Sequence, residues 1–467
     1  MDTPQHLALD LAVSAAKQWL DGLEDRPVSS TVSLEELRSR FDRKLGHSGI
    51  PADRVVRDLV EASKGGILGS AGGRFFAWVI GGSLPSALAA DWLTSTWDQN
   101  AALYACGPAA SVIEETAGEW IKELLHLPRE ASFAFTTGCQ LAHFTCLASA
   151  RSAVLKRAGW DVNNDGLAGA PPIRVLTSEH RHASVDRAVR YLGLGNRSLR
   201  SVATDELGRI RVDSFEEALG GSPGPTIVVL DAADLNIAAF DPFEEIIPLA
   251  KATGAWVHID GAFGLFARAS ERLRGFTKGI DLADSWATDG HKWLNVPFDC
   301  GVAIIRDREA HREAMTISAS YISPERQARD QIDWNPEWSR RARGIPVYAA
   351  LRELGKDGVA DLVERSTAFC KTLVGEIGKL PGAQLLWEPQ LNQGLLRFLD
   401  PRPTATEADH DKKTEQVIAA INASGKAFFS PTVWQGKQAM RVSVVNWRTT
   451  DADIRRTIEV VKKILGG

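Results

Sequence analysis

Lys292 stands between His291 and Trp293 in the stretch Asp284-Ser285-Trp286-Ala287-Thr288-Asp289-Gly290-His291-Lys292-Trp293-Leu294-Asn295. It follows what reads as a short polar turn and precedes Val302-Ala303-Ile304-Ile305, an apolar run of buried-strand type. Upstream, Ala255-Trp256-Val257-His258-Ile259 is a second such run, ending in Asp260. A carboxylate at the end of a buried strand faces the edge where open α/β sheets bind ligands. A lysine amine condenses with aldehydes, and a carboxylate nearby can hold a proton on a ring nitrogen. Pyridoxal phosphate (PLP) chemistry needs that pair of groups.

Two further segments add candidates. Phe133-Ala134-Phe135 reads as a strand entering the turn Thr136-Thr137-Gly138-Cys139-Gln140, with a helix following through Arg151. Free backbone amides at such a helix start point at an anion, and the turn fits a phosphate. An ordinary helix cap would have the same pattern. Ile173 to Thr177 is a strand leading to His180 and His182, with a helix through Tyr191. Histidines at this spacing also suit zinc, so a zinc hydrolase built on His180, His182 and His258 is a remote alternative.

Three motifs in order, His182-Ala183-Ser184-Val185-Asp186-Arg187-Ala188, His258-Ile259-Asp260-Gly261-Ala262 and Asp289-Gly290-His291-Lys292-Trp293-Leu294, resemble the group II PLP-dependent amino-acid decarboxylases. That is the family of the aromatic-amino-acid and glutamate decarboxylases, and the resemblance runs from about Phe75 to the C-terminus. It implies an α/β, PLP-dependent transferase type I (aspartate aminotransferase-like) fold. Lys292 would hold the cofactor, Asp260 would face its ring nitrogen and His182 would cover the ring. Thr136, Thr137, Gly138, Cys139, Ala262, Asp289 and His291 would surround it. Trp78, Asn100 and Tyr104 would line the substrate pocket, and Tyr321, on a loop, would protonate Cα.

The implied reaction is decarboxylation of an L-amino acid to carbon dioxide and an amine, with an aromatic amino acid favoured. Aldehyde-forming decarboxylation-oxidation, aldol cleavage and transamination are alternatives, as is a catalytically silent PLP protein. Tyr321 argues for the amine, because the family's aldehyde-forming members carry phenylalanine there. The chain also departs from the family pattern. Cys139, Leu141 and His143 replace residues of a Thr-Ser-Gly-Gly-Thr-Glu-Ala-Asn-like turn, and Ala233, Asp234 and Ile237 fall where relatives carry Gly-Asn-Val-Asn-Thr-Gly.

These side chains need a scaffold, and the pattern between Phe133 and Ile305 supplies one. Short apolar runs alternate with helical stretches, which predicts βαβ units and a mostly parallel central sheet with helices on both faces. Thr137, His182, Asp260 and Lys292 all fall at strand carboxyl ends. Ahead of the sheet, helices are predicted from Leu7 to Leu23, from a Ser33/Glu36 capping box through Phe41, and from Arg54 to Ala62. Another is predicted from Ala109 to Leu125. Residues 1–83 are expected to form a helical arm and 84–343 a large PLP-binding domain, with a mobile loop near 318–340. Residues 344–467 are expected to form a small C-terminal α/β domain, with helices over 346–354, 359–380 and 451–465 and strands near 395–398 and 439–445.

Composition excludes several classes. The 467 residues are 44% hydrophobic and 24% charged, as in globular proteins, and a formal charge of −5 leaves no basic footprint for nucleic acid. No apolar run is long enough to span a membrane, and Met1-Asp2-Thr3-Pro4 lacks signal-peptide features. Cys106, Cys139, Cys146, Cys300 and Cys370 are odd in number and contain no CxxC pair. A cytoplasmic enzyme with reduced thiols and no metal is expected, and the resemblance adds a homodimer with shared active sites.

Overall fold

The apolar runs between Ser132 and Ile305 become the strands of one sheet. The computed structural model describes residues 4–221, 224–316 and 328–466. In chain order the strands are β1 (Ser132–Thr136), β2 (Arg174–Ser178), β3 (Leu199–Val202), β4 (Thr226–Asp231), β5 (Trp256–Asp260), β6 (Ser285–Asp289) and β7 (Gly301–Ile305). Their spatial order is β1-β7-β6-β5-β4-β2-β3. β2 pairs in parallel with β3 and β4, β4 with β5 and β5 with β6, while β7 runs antiparallel to both neighbours. The mostly parallel sheet is as expected.

Register explains why the chemistry collects at one edge. Asp231 pairs with Asp260, Asp260 with Ala287, and both Asp289 and Thr136 with Gly301. The ends of β1, β4, β5 and β6 therefore lie side by side with the start of β7. β4 to β7 are buried at every position, as a sheet covered on both faces requires. The short polar turn expected just before Lys292 is present, with Gly290 and His291 following β6. Ser285, Thr288 and Asp289 are polar but buried. Helix Cys139–Arg157 packs on the sheet through Ala142, Cys146, Ala150 and Val154.

The chain divides into two compact units, one of Gly81–Ala368 with Pro389–Gly394, the other of Met1–Ile80, Phe369–Glu388 and Leu395–Gly467. Thus residues 1–80 share a unit with the C-terminal region, whereas sequence boundaries at 83 and 343 made them separate parts. The second unit holds a four-stranded sheet in which β8 (Ala383–Trp387), β9 (Gln393–Phe398), β10 (Ser430–Trp434) and β11 (Lys437–Ser443) lie in the order β10-β11-β9-β8. The expected N-terminal helices are Pro4–Asp21, Leu34–Phe41 and Ala52–Ser63. Ser33 caps the second by accepting the Glu36 N–H. The helices expected over 346–354 and 359–380 run as Gly344–Gly378, with Gly355 leaving helical geometry between them. Among the described residues, no helix is long and apolar enough to cross a membrane.

Candidate active site

The site begins where β1 turns into helix Cys139–Arg157. Thr136 Oγ1 donates to Gly138 O at 3.0 Å, and Gly138 precedes the helix without a side-chain cap. A side chain at 138 would press on His291, with its Cβ 3.2 Å from Cε1, and one at Gly301 would strike the Gly138 backbone at 2.3 Å. Glycine at both places lets the helix start reach β7. The Cys139 N–H is engaged, donating to Asp289 Oδ1 at 2.6 Å. Thr137 is half-buried, and the buried Gln140 Nε2 has no hydrogen-bond partner.

β6 delivers Asp289, and the turn after it delivers His291 and Lys292. Lys292 Nζ lies 3.2 Å from Asp289 Oδ2 and 6.0 Å from the centre of the Phe263 ring. Burial opposes its charge, but Asp289, then Cys139 and Asp260, outweigh it and hold the amine above the usual lysine range. His291 Nδ1 accepts the Cys300 N–H at 3.1 Å, which leaves the proton on Nε2, 3.6 Å from Asp289 Oδ1. Burial pushes the His291 imidazole down, so it stays neutral. Gly81 packs on this turn so closely that a Cβ there would come 1.8 Å from Lys292 O.

β5 delivers Asp260. Its Oδ1 accepts the Ala262 N–H at 3.1 Å and its Oδ2 lies 3.3 Å from His143 Nε2. Burial alone would raise this carboxyl, but His143, with His182 and Lys292, holds it well below the usual range and ionised. The sequence marked His143 only as a departure; its contact with Asp260 comes from packing the helix on β5. His182 caps helix Ala183–Tyr191, its Nδ1 accepting the Ser184 N–H at 3.2 Å with Ser184 Oγ at 2.7 Å, and it is exposed in the single chain. His180 contacts Thr204 Oγ1 at 3.3 Å. Neither histidine belongs to the tight His/Cys/Asp/Glu group found among the described residues, Cys139, His143 and Asp260, so the zinc arrangement of His180, His182 and His258 does not form.

The atypical turn after β4 is held by Asp234, whose carboxylate accepts N–H groups from Asn236 and Ala239, both at 2.8 Å. Ala233 and Ala238 take left-handed backbone angles there. Asn100 Oδ1 accepts from Ala102 and Arg340, and the Tyr104 N–H donates to Asp330. Arg340 in turn forms a buried ion pair with Glu114, and Asn335 Nδ2 donates to Phe135 O at 2.6 Å. Residues 329–340, read as part of a mobile stretch, are thereby anchored. Tyr321, with the rest of residues 318–327, lies outside the described residues. Trp78, in the other unit, is exposed and packs against Phe75 and Phe428.

These groups fit PLP. A primary amine, a buried carboxylate kept ionised, a glycine-cleared helix start and an unpartnered buried amide share one sheet edge. Comparison with known proteins agrees. The model of the pyridoxal-dependent decarboxylase conserved domain matches residues 35–398. The chain is 26% identical to an aromatic-L-amino-acid decarboxylase of Bacillus atrophaeus, over 97% of this chain and 94% of that one. It is 29% identical to an L-2,4-diaminobutyrate decarboxylase of Rhizobium meliloti, over 80% and 74%. The structure of Oryza sativa TDC with PLP and tryptamine superposes with a TM-score of 0.91 at 22% identity, covering 98% and 97%, and so shares the fold. With most of its length matched by that domain model, the chain belongs to the pyridoxal-dependent decarboxylase family.

Proposed function

We propose that this PLP-dependent carboxy-lyase removes the α-carboxylate of an aromatic L-amino acid, releasing carbon dioxide and the amine. The observation that carries the reading is the placement of the Lys292 amine on the same strand-end edge as an Asp260 carboxylate kept ionised by His143. The aromatic preference rests on the near full-length match to the Bacillus atrophaeus enzyme.

PLP bound here would supply an electron-withdrawing ring able to take up the electron pair left when the carboxylate departs. Lys292 would hold the cofactor covalently. Asp260 would keep a proton on the ring nitrogen. The Thr136 to Gln140 turn, with His291, would receive the phosphate, Ala262 and Asp289 would border the cofactor, and His182 would cover it. Asn100 and Tyr104 would bound the substrate side chain. Tyr321 returns a proton to Cα.

The active unit is a homodimer with shared sites. Helices Leu34–Phe41 and Ala52–Ser63 bury no residue in the single chain, and Leu34, Phe41, Val55 and Leu59 are exposed, leaving apolar surface for a partner. Residues 1–83 act as the arm covering that partner. Five free cysteines suit a reducing cytoplasm. Borohydride reduction of the PLP-loaded protein followed by peptide mapping tests the central assignment. The label is expected on Lys292, and a label on any other lysine overturns it.

A further inference from the structure

We propose that His143 is a positioning residue for Asp260, and that a buried hydrogen-bond array running from Trp256 through Ser285 and His258 to Asp260 holds the His143 proton on the nitrogen that faces the carboxylate. The proposal rests on the reading of Asp260 as the partner of the cofactor ring nitrogen.

The array crosses three elements. Trp256 Nε1 donates to Ser285 Oγ at 2.9 Å, and Ser285 Oγ lies 2.9 Å from His258 Nδ1. His258 Nε2 lies 2.9 Å from His143 Nδ1, and His143 Nε2 lies 3.3 Å from Asp260 Oδ2. His143, His258 and Ser285 are fully buried. Polar groups so placed must satisfy one another, since no solvent replaces a missing partner.

With both rings neutral, each has one N–H and the protons can run in only two directions. In the first, Ser285 donates to His258 Nδ1, His258 Nε2–H to His143 Nδ1, and His143 Nε2–H to Asp260, and every acceptor is met. In the second, each proton is reversed and a bare His143 nitrogen faces the carboxylate. Asp260 decides between them, because an ionised carboxylate only accepts and a bare nitrogen facing it would leave both acceptors unmet. Trp256 is consistent with the first direction: its indole N–H only donates and fills one of the two acceptor sites on Ser285, leaving the serine proton free to pass toward His258. Asp260 thus receives two N–H groups, from Ala262 on Oδ1 and from His143 on Oδ2. Lys292, His182, Cys139 and Asp231 also face this carboxylate electrostatically. The His143 N–H keeps it an acceptor for the ring nitrogen despite its burial.

Nitrogen NMR of histidine-labelled full chain, with and without PLP, reads the array directly. Both His143 and His258 are expected to carry their proton on Nε2. A Nδ1–H form of either ring, or a doubly protonated His143, overturns the proposal. Substitution then separates positioning from packing. His143→Leu keeps the bulk and removes the donor, and is expected to weaken PLP binding to the cofactor-free chain by about 10- to 100-fold. His143→Gln donates to Asp260 and accepts from His258, and is expected to recover most of that loss. Equal impairment of the two variants, or none in either, overturns the proposal. Should His143→Leu fail to fold, Ser285→Ala serves in its place. It removes the donor to His258 Nδ1 and is expected to give both tautomers in the NMR spectrum, whereas an unchanged single form counts against the array. A borohydride label away from Lys292 would instead defeat the cofactor reading and leave the NMR result standing.

Discussion

Lys292 Nζ lies 3.2 Å from the Asp289 carboxylate, and the same carboxylate accepts the Cys139 N–H at the start of helix Cys139–Arg157. One acidic residue therefore serves both the amine proposed to attack the cofactor aldehyde and the helix end proposed to face its phosphate. Asp289 favours the charged, non-nucleophilic amine and adds negative charge near an anion. Asp289→Asn is expected to keep the Cys139 bond through its amide oxygen and to speed PLP attachment at neutral pH, by about tenfold for each unit the amine pKa falls. Stopped-flow absorbance of PLP mixing with the cofactor-free protein checks this, and slower attachment would contradict it.

The role proposed for Asp260 depends on its charge. Asp260→Asn keeps the shape and the Ala262 contact but loses the negative charge proposed to hold a proton on the ring nitrogen. The variant is expected to retain PLP while turnover falls by about 10²- to 10³-fold. Absorbance of the bound cofactor beside carbon dioxide release measures both quantities. Near-normal turnover would remove the proposed role.

The proton-donor role proposed for Tyr321 would decide what is made as well as how fast. After carbon dioxide leaves, Cα needs a proton, and a phenol can supply it. Tyr321→Phe removes only that hydroxyl, so oxygen or misplaced protonation competes. Less amine and a measurable share of aldehyde with ammonia are expected from the variant under air, where the parent yields amine. An unchanged product ratio at an unchanged rate excludes Tyr321 from the mechanism.

Acid should weaken the large unit through His311. This buried ring sits between Ser132 Oγ and Trp334 O, each at 2.7 Å, and burial, with Arg329 nearby, pushes its pKa down to about 3 from 6.5. The folded state holds the ring neutral while the unfolded chain binds a proton below pH 6.5, so its contribution is fully present above that value and is lost as pH falls toward 3. Between neutral pH and pH 5 that loss is worth about 2 kcal/mol. His311→Gln, which cannot titrate, is expected to be less stable at neutral pH but to lose about 2 kcal/mol less on acidification. Urea midpoints at the two pH values provide the comparison, and parallel losses would exclude His311 as the source.

Local pattern by itself determined the frame. The apolar runs that became β1, β2, β4, β5 and β7 were legible because a strand covered on both faces must be apolar along its length. Asp260 and Lys292 were legible as strand-end residues for the same reason, and the ordered motifs pointed to the family. β6 was not singled out, since Ser285, Thr288 and Asp289 interrupt an apolar pattern until Trp256, His258, Cys139 and Lys292 are placed against that strand. Only the tertiary structure decided what surrounds the two reactive groups. Asp289 meets a backbone amide 150 residues away, and His143 meets His258 at a separation of 115. Periodicity reports which face of an element is buried; it carries no record of which distant side chain will arrive to satisfy a buried charge. That pairing is set by strand order and by helix Cys139–Arg157 lying across the sheet, and it gives Asp260 its ionised state.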